Sequence, residues 1–189
     1  MKLADAIYKR RSVRTYTQQQ VQREEVLALI DAAVQAPSAM NQQAWAFAVI
    51  QDRHVLMSWS ERIRRDLLAH SDHFKMSDEV KAMIAEPGFC VFYDAGTLIL
   101  IGTRFPERTQ LAEVDASCAA QNLMLAAYDR DIATCPIGFA VPWLNQPSVK
   151  MEIGLPSDYR VVLPVIAGYQ RAPQPPVVRR PAEILMWQR

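Results

Sequence analysis

Apolar residues recur every three or four positions in several stretches of this chain, and that spacing gives a helix one apolar face. Residues 23–36 show it most clearly, and Pro37 directly after them cannot continue a helix. Residues 115–130 show it as well, with alanines making up much of the face, so another backbone could approach this helix closely. The same spacing, in shorter or interrupted form, predicts helices at residues 2–10, 53–86 and 145–153.

Other apolar runs are short and continuous, which is typical of strands buried in a sheet. They predict strands at residues 45–50, 89–93, 97–101, 132–135 and 160–167. Helices and strands do not alternate in a regular β-α-β order, so the pattern favours the α+β class. Four prolines between residues 173 and 181 oppose any single regular element there. They predict an extended C-terminal arm, at about residues 170–189, that reaches away from its own core.

Length, charge and hydropathy exclude several kinds of protein. The 189 residues show no shift in composition, so we expect one domain over residues 1–189. A net charge of +1 supplies no field that would attract nucleic acid. The sequence has no apolar run near the roughly 20 residues of a membrane-spanning helix, and residues 1–14 show no signal-peptide pattern. We therefore expect a cytoplasmic protein with no nucleic-acid or membrane partner.

Familiar nucleotide-binding and metal-binding motifs are missing from the sequence. There is no G-x-G-x-x-G segment after a strand, and there is no P-loop. Cys90, Cys118 and Cys135 are widely spaced and form no metal-binding pair. His70 and His73 lie three residues apart in a polar stretch, where a pair of surface side chains is the simpler interpretation. We expect no metal site.

Two clusters of arginines could bind a phosphate group, because each guanidinium offers positive charge and a planar fork of donors. Other interpretations stay open for each cluster alone. The first could be a solvated basic end of a helix, complementing the helix dipole, and the second an ordinary basic tail. The residues are Arg10, Arg11, Ser12 and Arg14 after the first predicted helix, and Arg179 and Arg180 in the arm.

Two loops carry groups that could contact a polar ring or a sugar. Amides and hydroxyls in the first loop could form hydrogen bonds with such a ligand, and the second could direct backbone N–H groups at it. The same residue types also serve in turns and helix caps, so either interpretation fits each loop alone. The candidates are Pro37, Ser38, Ala39, Met40, Asn41 and Gln43 in the first loop, and Pro136, Ile137 and Gly138 in the second.

Four segments, taken in order along the chain, resemble the nitroreductase family of FMN-dependent oxidoreductases. RRSVRTY at residues 10–16 is similar to the family's opening RRSxRxF/Y signature, and APSAMNQQAW at residues 36–45 is similar to its APSxxNxQPW loop. AAQNL at residues 119–123 resembles the family's central helix. GY at residues 168–169, followed by RRP at residues 179–181, resembles its closing segment.

This resemblance implies FMN as a non-covalent cofactor and gives the arginine clusters a role in binding it. In the family, the opening segment binds the phosphate, the ribityl chain and the pyrimidine edge of FMN. That implies contacts from residues 10–12, with Arg14 at the N1–C2 edge of the flavin. The arm would return to the phosphate through Arg179 as the first choice and Arg180 as the second.

The two loops also receive roles from the resemblance. Residues 37–41 would cover the flavin of the partner subunit, with Gln43 close by, and residues 136–138 would place backbone N–H groups near flavin N5. Two departures from the family bear on these loops. Ala44 stands where the family usually has proline, and residues 131–135 replace its usual glycine-rich turn.

The resemblance further implies a fold, an assembly and a reaction. The fold would be a mostly antiparallel sheet flanked by helices, and the arm would be exchanged in a homodimer that holds FMN at the subunit interface. Hydride would pass from NADH or NADPH through flavin N5 to a small electrophile, such as a nitroaromatic or a quinone, in ping-pong order. The alternatives are an FMN-dependent oxidase or dehydrogenase of a specialised substrate, and a non-catalytic flavin-binding protein for sensing or storage.

Overall fold

An antiparallel sheet lies at the centre of the fold. This computed structural model describes residues 2–71, 74–104 and 109–189, and within them the sheet has four strands in the order β1–β2–β4–β3. Each neighbouring pair is antiparallel. The strands are β1 (Trp45–Ile50), β2 (Thr97–Thr103), β3 (Ala133–Pro136) and β4 (Arg160–Gly168).

Strand β2 explains why the sheet needs helices on both faces. All seven of its residues are buried, as expected for a continuous apolar run in the middle of a sheet. Because side chains alternate between faces, Leu98 and Leu100 contribute to one core cluster, and Ile99 and Ile101 contribute to another. The sequence therefore places a core on each side of one sheet.

Seven α-helices within the described residues cover these two faces. Helix α5, with Ala116, Ala119 and Ala120 fully buried, packs against α2 and the sheet to form one core. Its small side chains allow the close approach that the sequence predicted. The helices are α1 (Leu3–Lys9), α2 (Arg23–Ala33), α3 (Arg53–Ala69), α4 (Asp78–Ala85), α5 (Thr109–Asp129), α6 (Val141–Leu144) and α7 (Pro147–Ile153).

The α+β class is confirmed, but one predicted strand is wrong. Residues 89–93 form no strand and instead belong to a turn region that precedes β2. The peptide N–H of Val91 donates to the Ser60 hydroxyl at 2.8 Å, and Tyr93 and Asp94 have φ angles of 50° and 58°. Two consecutive left-handed residues cannot continue a pleated strand, so the run forms a turn in which Val91 and Phe92 are buried.

Several element boundaries also differ from the prediction. Helix α2 ends at Ala33, and α5 begins at Thr109, six residues before the predicted start at 115. Residues 173–189 form neither helix nor strand, as their prolines predict. No helix in the described part of the chain combines the length and the apolar character needed to cross a membrane. The cytoplasmic location stays a prediction.

Gly102 gives a direct test of how tightly the sheet is packed. A Cβ atom there would lie 2.2 Å from the Arg160 carbonyl oxygen and 2.9 Å from the ring of Tyr159, at an irregularity in the β2–β4 register. We expect Gly102→Ala to destabilise the apoprotein by about 2–3 kcal/mol. That loss lowers Tm by roughly 4–12 °C in a chain of this size.

The matched control is Gly138→Ala, because a Cβ atom at Gly138 meets no atom within 4 Å. Calorimetry of the two apoproteins should show a large drop in Tm for Gly102→Ala alone. Equal Tm values for the two variants would show that the β2–β4 contact can relax.

Candidate functional site

The segment that follows α1 runs extended alongside β3. The peptide N–H of Val13 donates to the carbonyl of Thr134 at 3.0 Å, and Ser12 and Thr134 form an isolated parallel bridge. Val13 and Tyr16 are buried, and the Tyr16 hydroxyl donates to the Val13 carbonyl at 2.7 Å. Because Val13 points into the core, its neighbours Ser12 and Arg14 point to the opposite side of the extended chain.

The fold brings the two predicted arginine clusters together. A cavity of about 380 Å³ is lined by residues of the opening segment and by residues of the arm, although about 165 positions separate them. Arg180, the second choice in the arm, is exposed and does not line this cavity. The lining residues are Arg10, Arg11, Ser12, Arg14, Gln174, Pro175, Val177 and Arg179.

The cavity holds positive charge that the described residues leave unpaired. Nη1 of Arg10 and Nε of Arg11 are buried and have no hydrogen-bond partner within the described part of the chain. Burial lowers the pKa of Arg10, and the nearby charges of Arg179 and Arg11 lower this pKa further. Buried donors without acceptors are costly, and this cost would be relieved by an anion with several acceptor oxygens. The arginines therefore fit a phosphate group.

A second cavity, of about 320 Å³, adjoins the first because both include Arg14 in their lining. The turn after β3 forms much of its wall, through the predicted residues Pro136, Ile137 and Gly138. Cys135, Phe139 and Tyr93 line it as well. The opening segment and this turn thus meet at Arg14, which lines both cavities.

Backbone hydrogen bonding narrows the predicted role of this turn. The N–H of Ile137 donates to the Pro164 carbonyl at 2.8 Å, and Pro136 has no N–H. Neither residue can therefore direct a free backbone donor into the cavity. Gly138, at the start of the short 3₁₀ helix Gly138–Ala140, is the predicted residue whose N–H could serve a ligand.

Tyr93 is a cavity residue that the sequence did not reveal. The guanidinium carbon of Arg14 lies 5.8 Å from the centroid of the Tyr93 ring, which is within reach of a cation–π contact. The ring also meets Phe89 edge-on, at 6.1 Å between centroids. Tyr93 lines the second cavity because residues 89–93 form a turn instead of the predicted strand. The pattern of apolar residues did not indicate the left-handed conformation of Tyr93.

The loop that follows α2 has an unusual backbone. Met40, Asn41 and Gln43 have φ angles of 52°, 54° and 48°, in the left-handed region that non-glycine residues avoid. The N–H of Gln43 donates to the Ser38 hydroxyl at 3.1 Å, and the N–H of Ala39 lies 3.1 Å from both carboxylate oxygens of Asp115. Hydrogen bonds to the side chains of Ser38 and Asp115 therefore support this backbone conformation.

The structure does not bring this loop to the arginines within one chain. None of residues 37–43 lines either cavity, and Met40 is 90% exposed. The prediction that the loop covers the flavin of a partner subunit is compatible with this position and stays a prediction.

The histidines and cysteines show no sign of metal chemistry in the part of the chain that the structure describes. No group of three or more suitable ligands occurs among those residues. His70 Nδ1 lies 2.9 Å from the Asp66 carbonyl oxygen, and His73 lies outside the described residues. Burial raises the pKa of the Cys135 thiol, which outweighs the lowering effects of Arg14 and Ser12, so this side chain is not an activated nucleophile.

Comparison with known proteins identifies the family. A sequence model described as the Nitroreductase family matches residues 7–169. The chain therefore belongs to the nitroreductase family, as the four motifs predicted. A relative from Archaeoglobus fulgidus, provisionally named NADH dehydrogenase/NAD(P)H nitroreductase, is 26% identical over 165 residues, covering 87% of this chain and 83% of the relative.

Two solved structures with bound FMN share the fold. A nitroreductase from Bacteroides fragilis has 26% identity and a TM-score of 0.84, and one from Desulfitobacterium hafniense has 28% identity and a TM-score of 0.82. Each match covers 100% of both chains. This chain therefore shares its fold with nitroreductases whose structures contain FMN.

The unpaired charge of Arg10 generates a test on the apoprotein. Arg10→Met removes a half-buried guanidinium whose buried Nη1 has no acceptor among the described residues, so the free energy of unfolding should stay the same or rise. Inorganic phosphate at ten times its Kd should stabilise the wild-type chain by about 1.4 kcal/mol, or roughly 3–6 °C in Tm. The variant should lose that response.

The matched control is Arg23→Met, which removes an exposed arginine at the start of α2 and should keep the phosphate response. Thermal unfolding with and without phosphate measures both effects. If Arg10→Met kept the full response, phosphate would not bind at this cluster.

Proposed function

We propose that this protein is an FMN-dependent oxidoreductase that uses NADH or NADPH to reduce a small electrophilic acceptor, such as a nitroaromatic or a quinone. The observation that carries the proposal is the pair of buried donors on Arg10 and Arg11, which lie near Arg179 of the arm and have no acceptor in the described part of the chain. FMN carries a phosphate at one end of its ribityl chain, and it is the molecule bound in the two solved relatives described above.

The two cavities support a proposal in which the parts of FMN contact different residues. The phosphate would lie among Arg10, Arg11 and Arg179, with the Ser12 hydroxyl as a further donor. The flavin ring would extend from there past Arg14 toward the turn after β3. This direction follows because Arg14 is the lining residue that the two cavities share.

The residues of this chain would orient the cofactor and set its electrostatic surroundings. FMN, when bound, supplies the transfer of hydride between nicotinamide and acceptor. The guanidinium of Arg14 would place positive charge at the pyrimidine edge, and the N–H of Gly138 would donate a hydrogen bond near N5. Nicotinamide and acceptor would use the same open side of the flavin in turn.

We further propose that the whole chain forms one domain and functions as a homodimer. The arm exposes large apolar side chains, with Val178 at 97% and Trp187 at 73% exposure, and such residues are normally covered. Leu3 and Ile7 on α1 are also exposed. Exchange of the arm onto a partner would cover this surface, and the loop at residues 37–43 could then reach the flavin of that partner.

The reaction has a direct spectroscopic test. Protein purified with FMN should be yellow, and its flavin absorbance should fall when NADH or NADPH is added under anaerobic conditions. The absorbance should return when a nitroaromatic or quinone is added, and the initial rates should give the parallel double-reciprocal lines of ping-pong kinetics. Bound FMN that neither nicotinamide reduces would contradict the proposal and favour storage, while turnover driven by air without nicotinamide would favour an oxidase.

The homodimer can be tested by removing residues 182–189, which takes away Ile184, Leu185, Met186 and Trp187 but keeps Arg179. We expect the truncated chain to sediment as a monomer and to retain little FMN, because its apolar arm can no longer cover a partner. Arg189→Ala is the control, since it alters the arm without removing an apolar side chain. A truncated protein that remains dimeric with full FMN content would refute the role of the arm.

A further inference from the structure

Asp115 is a buried acidic residue that the proposed chemistry does not use. It lies in α5, is 6% exposed, and both of its carboxylate oxygens lie 3.1 Å from the N–H of Ala39. The structure records no ion pair to Asp115 among the described residues. Burying a carboxylate without a cation is unfavourable, so the contact with a distant loop calls for an explanation.

The loop that Asp115 contacts adopts a conformation that it would rarely hold by itself. Met40, Asn41 and Gln43 are all left-handed, and for a residue such as methionine this lowers the population of the conformer by roughly fivefold or more. The other side-chain bonds that support residues 38–43, from Gln43 to Ser38 and from Gln43 to Asn41, lie within the loop itself, as do two backbone hydrogen bonds. Asp115 supplies the recorded side-chain bond that ties the loop to the core.

Helix α5 holds Asp115 in a fixed position because the helix is packed in the core. Its residues Ala116, Ala119 and Ala120 are completely buried between α2 and the sheet. The amide of Asn122 also reaches the Ala32 carbonyl at 3.4 Å, near the end of the helix that leads into the loop. The position of the Asp115 carboxylate is therefore set by the core, and the position of Ala39 is set by Asp115.

We propose that Asp115 is a positioning residue for cofactor binding. Through the N–H of Ala39 it holds the loop at residues 38–43, with Met40, Asn41 and Gln43 left-handed, in the conformation that contacts FMN. The inference rests on the proposed function, because that function makes this loop part of the flavin site. It assigns to Asp115 a contribution to FMN affinity without any contact between its side chain and the flavin.

The test compares two substitutions in the full-length protein. Asp115→Ala removes the acceptor, so hydrogen–deuterium exchange at the Ala39 amide of the apoprotein should become at least ~10-fold faster, and the Kd for FMN should rise about tenfold. Asp115→Asn keeps one acceptor oxygen and should remain within about threefold of wild type in both measurements. Glu113→Gln removes a carboxylate from the same helix that pairs with Arg160 instead, and it should leave the Kd for FMN unchanged.

A double substitution separates positioning from a loss of folding. Met40→Gly removes the cost of the left-handed backbone at that position, so the loop should depend less on Asp115. The effect of Asp115→Ala on the Kd for FMN should therefore be several-fold smaller in the Met40→Gly background than in wild type. Asp115→Ser provides the same comparison with a polar replacement if the alanine variant does not fold.

The outcomes distinguish this inference from the proposed function. Wild-type protein that binds FMN, together with an Asp115→Ala variant of equal affinity, would overturn the positioning role alone. Equal effects in the two Met40 backgrounds would also overturn it, because the loss would then not act through the loop conformation. Wild-type protein that takes up no FMN would overturn the proposed function and, with it, this inference.

Discussion

The candidate site depends on the packing of one extended segment against β3. The buried side chain of Val13 and its bond to Thr134 fix the path of residues 12–16 along the sheet. That path directs Ser12 and Arg14 outward and leaves two guanidinium nitrogens, on Arg10 and Arg11, buried without an acceptor among the residues that the structure describes. A fold that gathers positive charge in this way is less stable without an anion than with one. Cofactor binding and stability of the chain are therefore linked.

A second constraint acts on the loop after α2, and it arises from the same helix that fills one core. The alanines of α5 allow α2 to pack closely, and the end of α2 delivers the loop to Asp115. The hydrogen bonds to Asp115 and to the Ser38 hydroxyl offset the conformational cost of the left-handed residues in this loop. The two parts of the proposed site thus have different physical origins. The arginines are arranged by strand packing, and the loop is arranged by a buried carboxylate.

The sequence predicted those features that follow from local pattern or from motif order. The apolar run of β2 and the amphipathic α2 were recognisable, and the four ordered motifs identified the family. The strand predicted at residues 89–93 was wrong because the conformation of this segment depends on a bond to Ser60, about 30 positions away, and on left-handed Tyr93 and Asp94. The sequence also could not predict the hydrogen bonds from Ile137 to Pro164 and from Ala39 to Asp115, because each joins segments that are remote in sequence.

We propose that a phosphate binds beside the buried guanidinium nitrogens of Arg10 and Arg11. The most direct measurement of this central claim is a comparison of the affinities of the apoprotein for FMN and for riboflavin, which has the same ring and ribityl chain but lacks the phosphate. Two charge-assisted hydrogen bonds at about 1.5–3 kcal/mol each predict that FMN binds at least ~100-fold more tightly. Equal affinities for the two flavins would contradict the account, because the arginines would then make no contact with the phosphate.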